Sequence, residues 1–245
     1  MDTWARKQLH GKHYYITRNE NIGKTDTYRW LQKGSIFPET EGFLMAIQDQ
    51  DDRCRKCKQT PETIDHITGG CKLLASTEYM ERHNMTATII RKEIANRYNL
   101  EQSKTPYYKY TPTTIIENET HKLYWDVTIH TDKTMKYNRP GITLIDKKEK
   151  ITYLIEISIP NDANLASKYN NKIEKYHPLA QEIQRIWNQK KVFIIPHIVS
   201  ATEITPHSFK KHLQQLKLEP HIYEQIQKAV ILKTCKITWK FLNLT

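Results

Sequence analysis

Three cysteines and a histidine crowded into "CRKCKQTPETIDHITGGC" constrain this chain more than any other stretch. Cys54, Cys57, His66 and Cys71 fall in the spacing C-x2-C-x8-H-x4-C. Three of the four cysteines lie within 18 residues, a clustering that chance does not explain. Structural zinc takes four Cys or His ligands in a tetrahedron. A C-x2-C knuckle supplies two of them from one tight turn, and Gly69 and Gly70 let the backbone bend just before the last. The spacing therefore points to a zinc centre, with free buried thiols as the other reading. Arg53, Arg55, Lys56, Lys58 and Lys72 surround the cluster and are candidates for phosphate contact. Cys235, far along the chain, reads as a buried thiol.

Charge says more about partners than about fold. Lys and Arg exceed Asp and Glu enough to give a formal net charge of +11 over 245 residues. Such a surplus favours a polyanion, because each neutralised phosphate releases counterions. Nucleic acid, DNA or structured RNA, is the expected partner, with a merely soluble basic surface as the other reading. The opening "MDTWARKQLHGKHYY" lacks the apolar core of a secretory signal, and no run approaches the roughly 18 apolar residues of a membrane span. With few cysteines besides, an intracellular protein is expected, nuclear if its partner is chromosomal, with no membrane partner.

The periodicities sort the rest into elements. A helix is expected over Glu39–Gln50. A second, "STEYMERHNMTATIIRKEIANRY", has Ser76 as its cap and Tyr79, Met80, Met85, Ile89, Ile90 and Ile94 as its apolar positions. "NLEQSKTPYYKYTPTT" reads as a linker. Residues 1–50 are thus a helical lead-in, 51–104 the zinc finger with its helix, and 105–245 a separate domain. In that domain "KLYWDVTIHTD", "GITLID", "ITYLIEISI" and "VFIIPHIVS" read as strands, with Lys147–Lys150 as a hairpin turn. A helix follows from about Ala163 to Trp187, interrupted or kinked at Pro178. Two more helices are expected in "TPHSFKKHLQQL" and "PHIYEQIQKAVILKTCKITWKFL". Strands mixed with flanking helices define an α/β class.

One strand carries an acid in its interior. In "ITYLIEISI", Ile151, Tyr153, Ile155, Ile157 and Ile159 share one face, while Thr152, Leu154, Glu156 and Ser158 share the other. On periodicity alone Glu156 is either a solvent-facing carboxylate or a member of a site. At about 100° per residue, Leu165, Tyr169, Lys172, Tyr176, Leu179, Ile183 and Trp187 form one stripe of the following helix. A lysine inside an apolar stripe is aimed at the sheet. It either snorkels to water or reaches a site at the strand ends. Lys175 lies to the side as the second candidate.

Taken together, "CRKC…DHITGGC", "RPG…IEISIPNDAN" and "KIEKY" resemble the C-terminal region of non-LTR retrotransposon polyproteins that carry a restriction-like endonuclease. In that family a CCHC zinc motif precedes a PD-(D/E)XK nuclease domain. The resemblance extends over almost the whole chain, including "WARKQLHGKHYY…TYRWLQKGSIFPETEGFLMAIQDQ" ahead of the finger. It implies a restriction-endonuclease-like mixed sheet flanked by helices, and a magnesium- or manganese-dependent nick in chromosomal DNA. It also implies a reverse transcriptase domain in the same polyprotein, although no YxDD polymerase motif occurs in this chain.

Carried over by position, Glu156 would be a metal-binding acid. Lys172 or Lys175 would be the catalytic lysine, moved onto the helix because Ser158 holds the usual strand position. Tyr176 would be an accessory residue and Arg139 a nucleic-acid contact. The first acid of the motif would fall on Gly141, so the resemblance implies nicking that is weak or lost. The alternatives are an active nuclease that recruits another acid, above all Asp132, and a non-enzymatic interaction module stabilised by zinc. Asp126 and Asp146 are the other acids nearby.

Overall fold

The computed structural model describes residues 19–27, 29, 54, 56–61 and 63–242. The helix expected over Glu39–Gln50 lies outside these residues. Five strands form one mixed sheet: β1 (Ile115–Glu117), β2 (His121–Trp125), β3 (Ile142–Asp146), β4 (Ile151–Ser158) and β5 (Lys191–Ile198), in that spatial order. The first four are antiparallel neighbours, and β5 runs parallel to β4. A parallel pair needs a crossover, and α2 (Leu165–Ile186) supplies it. The helices α1 (Met80–Arg97), α3 (His207–Gln215) and α4 (His221–Leu242) complete the layers.

The alternation read from β4 decides which layer covers which face. Ile155 and Ile157 enter a core with Leu123, Leu144, Ile195, the α1 residues Ile89, Ile90 and Ile94, and Ile222 and Ile226 of α4. Leu154 faces the opposite way and packs with Tyr176, Leu179, Ala180 and Ile183 of α2. Burying both faces of a strand favours the near-continuous apolar run seen in β4. The boundary expected near residue 105 falls in a connector between two elements of the first core, because α1 packs directly into it.

Two local departures from expectation have simple causes. The chain is already helical from Lys72, so Ser76 sits inside a π-helical turn (Ala75–Tyr79) and caps nothing; Met80, expected in the core, is exposed. An inserted residue in a π turn rotates the stripe that follows, which keeps Ile89, Ile90 and Ile94 inward but not Met80. Pro178 does not interrupt α2, which runs through it as one helix. The missing N–H is outweighed by the burial of Leu179 and Ile183 just beyond it. Pro196 is accommodated because β5 is an edge of the sheet.

His197 of β5 is fully buried, and neither ring nitrogen has a hydrogen-bond partner. It meets Phe209 and His212 of α3 edge-on, at ring separations of 5.1 and 5.8 Å. Burial, then the neighbouring His212, lowers its pKa from 6.5 to about 3. His212, stacked on Tyr169, is also lowered by burial. The unfolded chain therefore binds more protons than the fold between about pH 3 and 6.5. Stability contributed by keeping this ring neutral is complete above that window and lost as pH falls through it. Urea denaturation is expected to show stability rising across the window by up to about 1.4 kcal/mol per pH unit from this one group. A His197→Leu variant is expected to show a flatter profile.

Candidate functional site

Two clusters of chemistry-bearing side chains stand out in the fold. The first is the Cys/His cluster. Cys54 opens a tight turn in which the Lys58 N–H donates to the Cys54 carbonyl at 2.8 Å, with Lys58 itself at φ 55°. The Cys57 N–H points at Cys54 Sγ, 3.5 Å away. A π-helical turn, His66–Gly70, then carries the chain to Cys71, whose N–H donates to the His66 carbonyl at 2.7 Å. The ligand atoms of Cys54, Cys57, His66 and Cys71 all lie within 4.8 Å of one another. Thr60 Oγ1 lies 2.8 Å from His66 Nδ1, and His66 Nε2 lies 3.3 Å from Cys57 Sγ. A hydrogen bond at one ring nitrogen presents the other as a ligand.

The thiol chemistry of the group suits a cation. Backbone hydrogen bonding at Gln59, aided by Thr60, lowers the Cys57 thiol to about 6. Burial, then the neighbouring Cys54, raises Cys71. A thiolate at Cys57 beside a Cys71 thiol that resists ionising is the situation a divalent metal relieves. The cluster can hold a metal ion such as zinc, and its soft sulfur-rich donor set fits that ion. Around it, the Tyr79 hydroxyl donates to the Ile67 carbonyl at 2.7 Å. The fully buried Arg82 donates to the Thr68 carbonyl at 2.7 Å and to Thr234 Oγ1 of α4 at 2.8 Å.

The second cluster surrounds Glu156, which is 4% exposed. Its Oε1 accepts the Gly141 backbone N–H at 2.8 Å, and its Oε2 accepts Lys172 Nζ at 2.6 Å. The β3–β4 register pairs Ile142 with Ile155, which sets Gly141 opposite Glu156. A Cβ built on Gly141 would lie 3.6 Å from the Ile155 carbonyl and 4.0 Å from Glu156 Oε1. Gly141 does not have a positive φ, so neither space nor backbone requires glycine there.

Tyr176 stands one turn beyond Lys172, and its hydroxyl donates to the Arg139 carbonyl at 3.1 Å. Burial, then the charge of Glu156, raises its phenol. Lys175 lies over the Tyr176 ring at 4.6 Å and is lowered by burial and by the nearby Lys172 ammonium.

The structure brings Gly141, Glu156, Lys172, Lys175, Tyr176 and Arg139 into one neighbourhood. It does not bring Asp132 there. Asp132 pairs with Arg185 at 2.5 Å, near the far end of α2 and roughly 20 Å of helix axis beyond Lys172. Asp146, at the opposite end of β3, lies 3.6 Å from His121. The nearest other acid is Asp126, whose N–H donates to the Gly141 carbonyl at 2.8 Å while its carboxylate pairs with exposed Arg139 at 2.7 Å. Near the Cys/His cluster, Lys58 and Lys72 are exposed and Lys56 is half-buried; Arg53 and Arg55 lie outside the described residues.

Sequence reasoning missed the residue on which the turn of the Cys/His cluster packs. Asn161, in the connector between β4 and α2, packs on the glycines of the His66–Cys71 turn. A Cβ on Gly69 would fall 1.9 Å from Asn161 Oδ1 and 3.0 Å from its Cγ. Asn161 Oδ1 is buried without a hydrogen-bond partner. The adjoining glycine pair was visible in the chain, but nothing local indicated which side chain would close on it. No protein-family model matches the chain, and no curated protein matches it.

Gly69→Ala is expected to cost roughly 1–3 kcal/mol through overpacking. Asn161→Ala, which removes an unpaired buried oxygen, is expected to be much milder. Combined, the second change should restore most of the first loss, and a double-mutant cycle by urea denaturation measures that coupling.

Proposed function

We propose that this chain is the nucleic-acid-binding C-terminal region of a non-LTR retrotransposon protein. In this reading a restriction-endonuclease-like domain stands beside a structural zinc centre, works in the nucleus on DNA, and has nicking activity that is weak or lost. The observation that carries the reading is the hydrogen-bonded chain from Gly141 through Glu156 to Lys172, with Tyr176 one turn on and bonded to the Arg139 carbonyl. The β3–β4 hairpin carries position 141 and Glu156, and the crossover helix carries Lys172 and Tyr176, an order consistent with the resemblance. The formal charge of +11 supports a polyanionic partner.

The residues do not fit a stable magnesium site. Mg²⁺ requires a near-octahedral set of oxygens, supplied by one or two carboxylates together with substrate phosphates. Here the single buried carboxylate gives one oxygen to Lys172 and the other to the Gly141 N–H. Asp126, the closest second acid, is held by Arg139. No step through a metal is therefore assigned to Glu156. What this chain's own groups do is hold a lysine against a neutralising carboxylate on a basic protein. The Cys/His cluster, by contrast, fits zinc, and its role here is to fix the turn that braces the β4–α2 connector. Among the described residues no helix is long and apolar enough to cross a membrane.

Two outcomes test this reading. The full chain is expected to bind duplex DNA with log K falling linearly against log salt, yet to leave supercoiled plasmid intact with Mg²⁺ or Mn²⁺. Gly141→Asp is expected to raise Mg²⁺-dependent nicking by on the order of 10³-fold, the usual worth of a metal carboxylate. Robust nicking by the unmodified chain would falsify the loss of activity, and inertness of the variant would remove the site assignment. Separately, the purified protein is expected to carry one zinc per chain by elemental analysis. Chelation or Cys71→Ser should lower the Tm by about 10 °C or more, since structural zinc binding is folding energy.

A further inference from the structure

Beside the Glu156 neighbourhood lies an exposed aromatic ring that the fold itself does not require. Tyr137 is 42% exposed and belongs to neither core cluster of the sheet. Two lysines attend it. Lys175 Nζ lies 4.9 Å from the Tyr137 ring centroid, and Lys136 Nζ lies 5.3 Å from it. Lys175 also sits over Tyr176, so its ammonium bridges the exposed ring and the buried one that senses Glu156. Arg139, two residues along, is exposed as well.

A single exposed tyrosine is ordinary on a protein surface; what distinguishes this one is the pair of ammonium groups on its ring, which select the partner that can stack there. The two ammonium groups repel a basic partner, are costly to desolvate under an apolar one, and attract an anionic one. A flat π-face beside cations matches a nucleotide, whose base stacks while its phosphate takes the lysines. In a duplex both faces of each base are already stacked, so a protein ring gains contact only with an unpaired base. Lys136 is exposed and can leave the ring for a phosphate. Lys175, partly desolvated between two rings, stands to recover charge partners from the same phosphate.

We infer that Tyr137, with Lys136 and Lys175, forms a stacking platform for an unpaired nucleotide of a single-stranded nucleic acid, next to the Glu156–Lys172 pair. This rests on the nucleic-acid reading above and adds its substrate form: a locally opened or single strand, rather than intact duplex, is what reaches the site.

The test compares the full chain and its variants on a labelled oligo(dT) strand and on a duplex of equal length, by fluorescence anisotropy at fixed salt. Tyr137→Ala is expected to weaken single-strand binding roughly ten- to a hundredfold, the usual value of one stacked base. Duplex binding should change less than about twofold on the same grounds. Tyr137→Phe and Tyr137→Trp, which keep a π-face, should retain single-strand affinity. Lys136→Ala with Lys175→Ala should weaken binding and reduce the single-strand salt slope by roughly 1.4. Circular dichroism on each variant excludes misfolding as the cause of a loss. Unchanged single-strand affinity in Tyr137→Ala overturns the platform while leaving the nucleic-acid reading intact. So does an equal loss on both forms, or a loss in Tyr137→Phe as large as in Tyr137→Ala. If the unmodified chain binds neither form, the platform and the reading beneath it fall together.

Discussion

The carboxylate of Glu156 ties three elements of this protein together. One oxygen holds the start of β3 through the Gly141 N–H, the other holds α2 through Lys172, and β4 carries the side chain itself. A carboxylate this deeply buried persists only when charged and polar partners replace water. Both are present, and each comes from a different element. The pair therefore sets the approach of α2 to the sheet as much as the apolar contacts of Leu154 with Leu179 and Ile183 do. Any chemistry at position 141 is conducted in the field of that pair.

The Cys/His cluster supports the same region from outside. Its π-helical turn, His66–Gly70, presents two glycines to Asn161 in the connector that leaves β4 and enters α2. Arg82 and Tyr79 fasten the turn to α1 and α4, and Ile237 and Phe241 of α4 pack beside Cys54 and Cys71. A metal held by the cluster would stiffen a turn that packs on Asn161, in the backbone between Glu156 and Lys172. The Cys/His region thus adjoins the sheet, with α1 buried in the sheet's own core.

Much of this architecture was legible from local patterns. The period-two alternation of β4 placed Glu156 on the Leu154 face, and the 3.6-residue stripe of α2 aimed Lys172 at that face; both follow from backbone geometry that tertiary packing does not alter. The cysteine spacing announced a metal-capable cluster for the same reason. Less legible were the start of α1, where a π turn shifted the register past Ser76 and Met80, and the persistence of α2 through Pro178. In both cases long-range burial outweighed a weaker local signal. Nor did any local pattern say that α1 would find its apolar partners on the sheet.

By itself, then, the sequence determined the strand faces, the helix stripes, the Cys/His spacing and the basic charge, because each is a property of neighbours along the chain. Tertiary structure alone decided that Glu156 is buried rather than solvated, that Lys172 rather than Lys175 meets it, and that Asp132 lies away on Arg185. It also decided that Asn161 closes on Gly69. These are contacts between residues far apart in sequence or across a crossover. Their geometry depends on how the sheet twists and the helix lies across it, and no local periodicity encodes that.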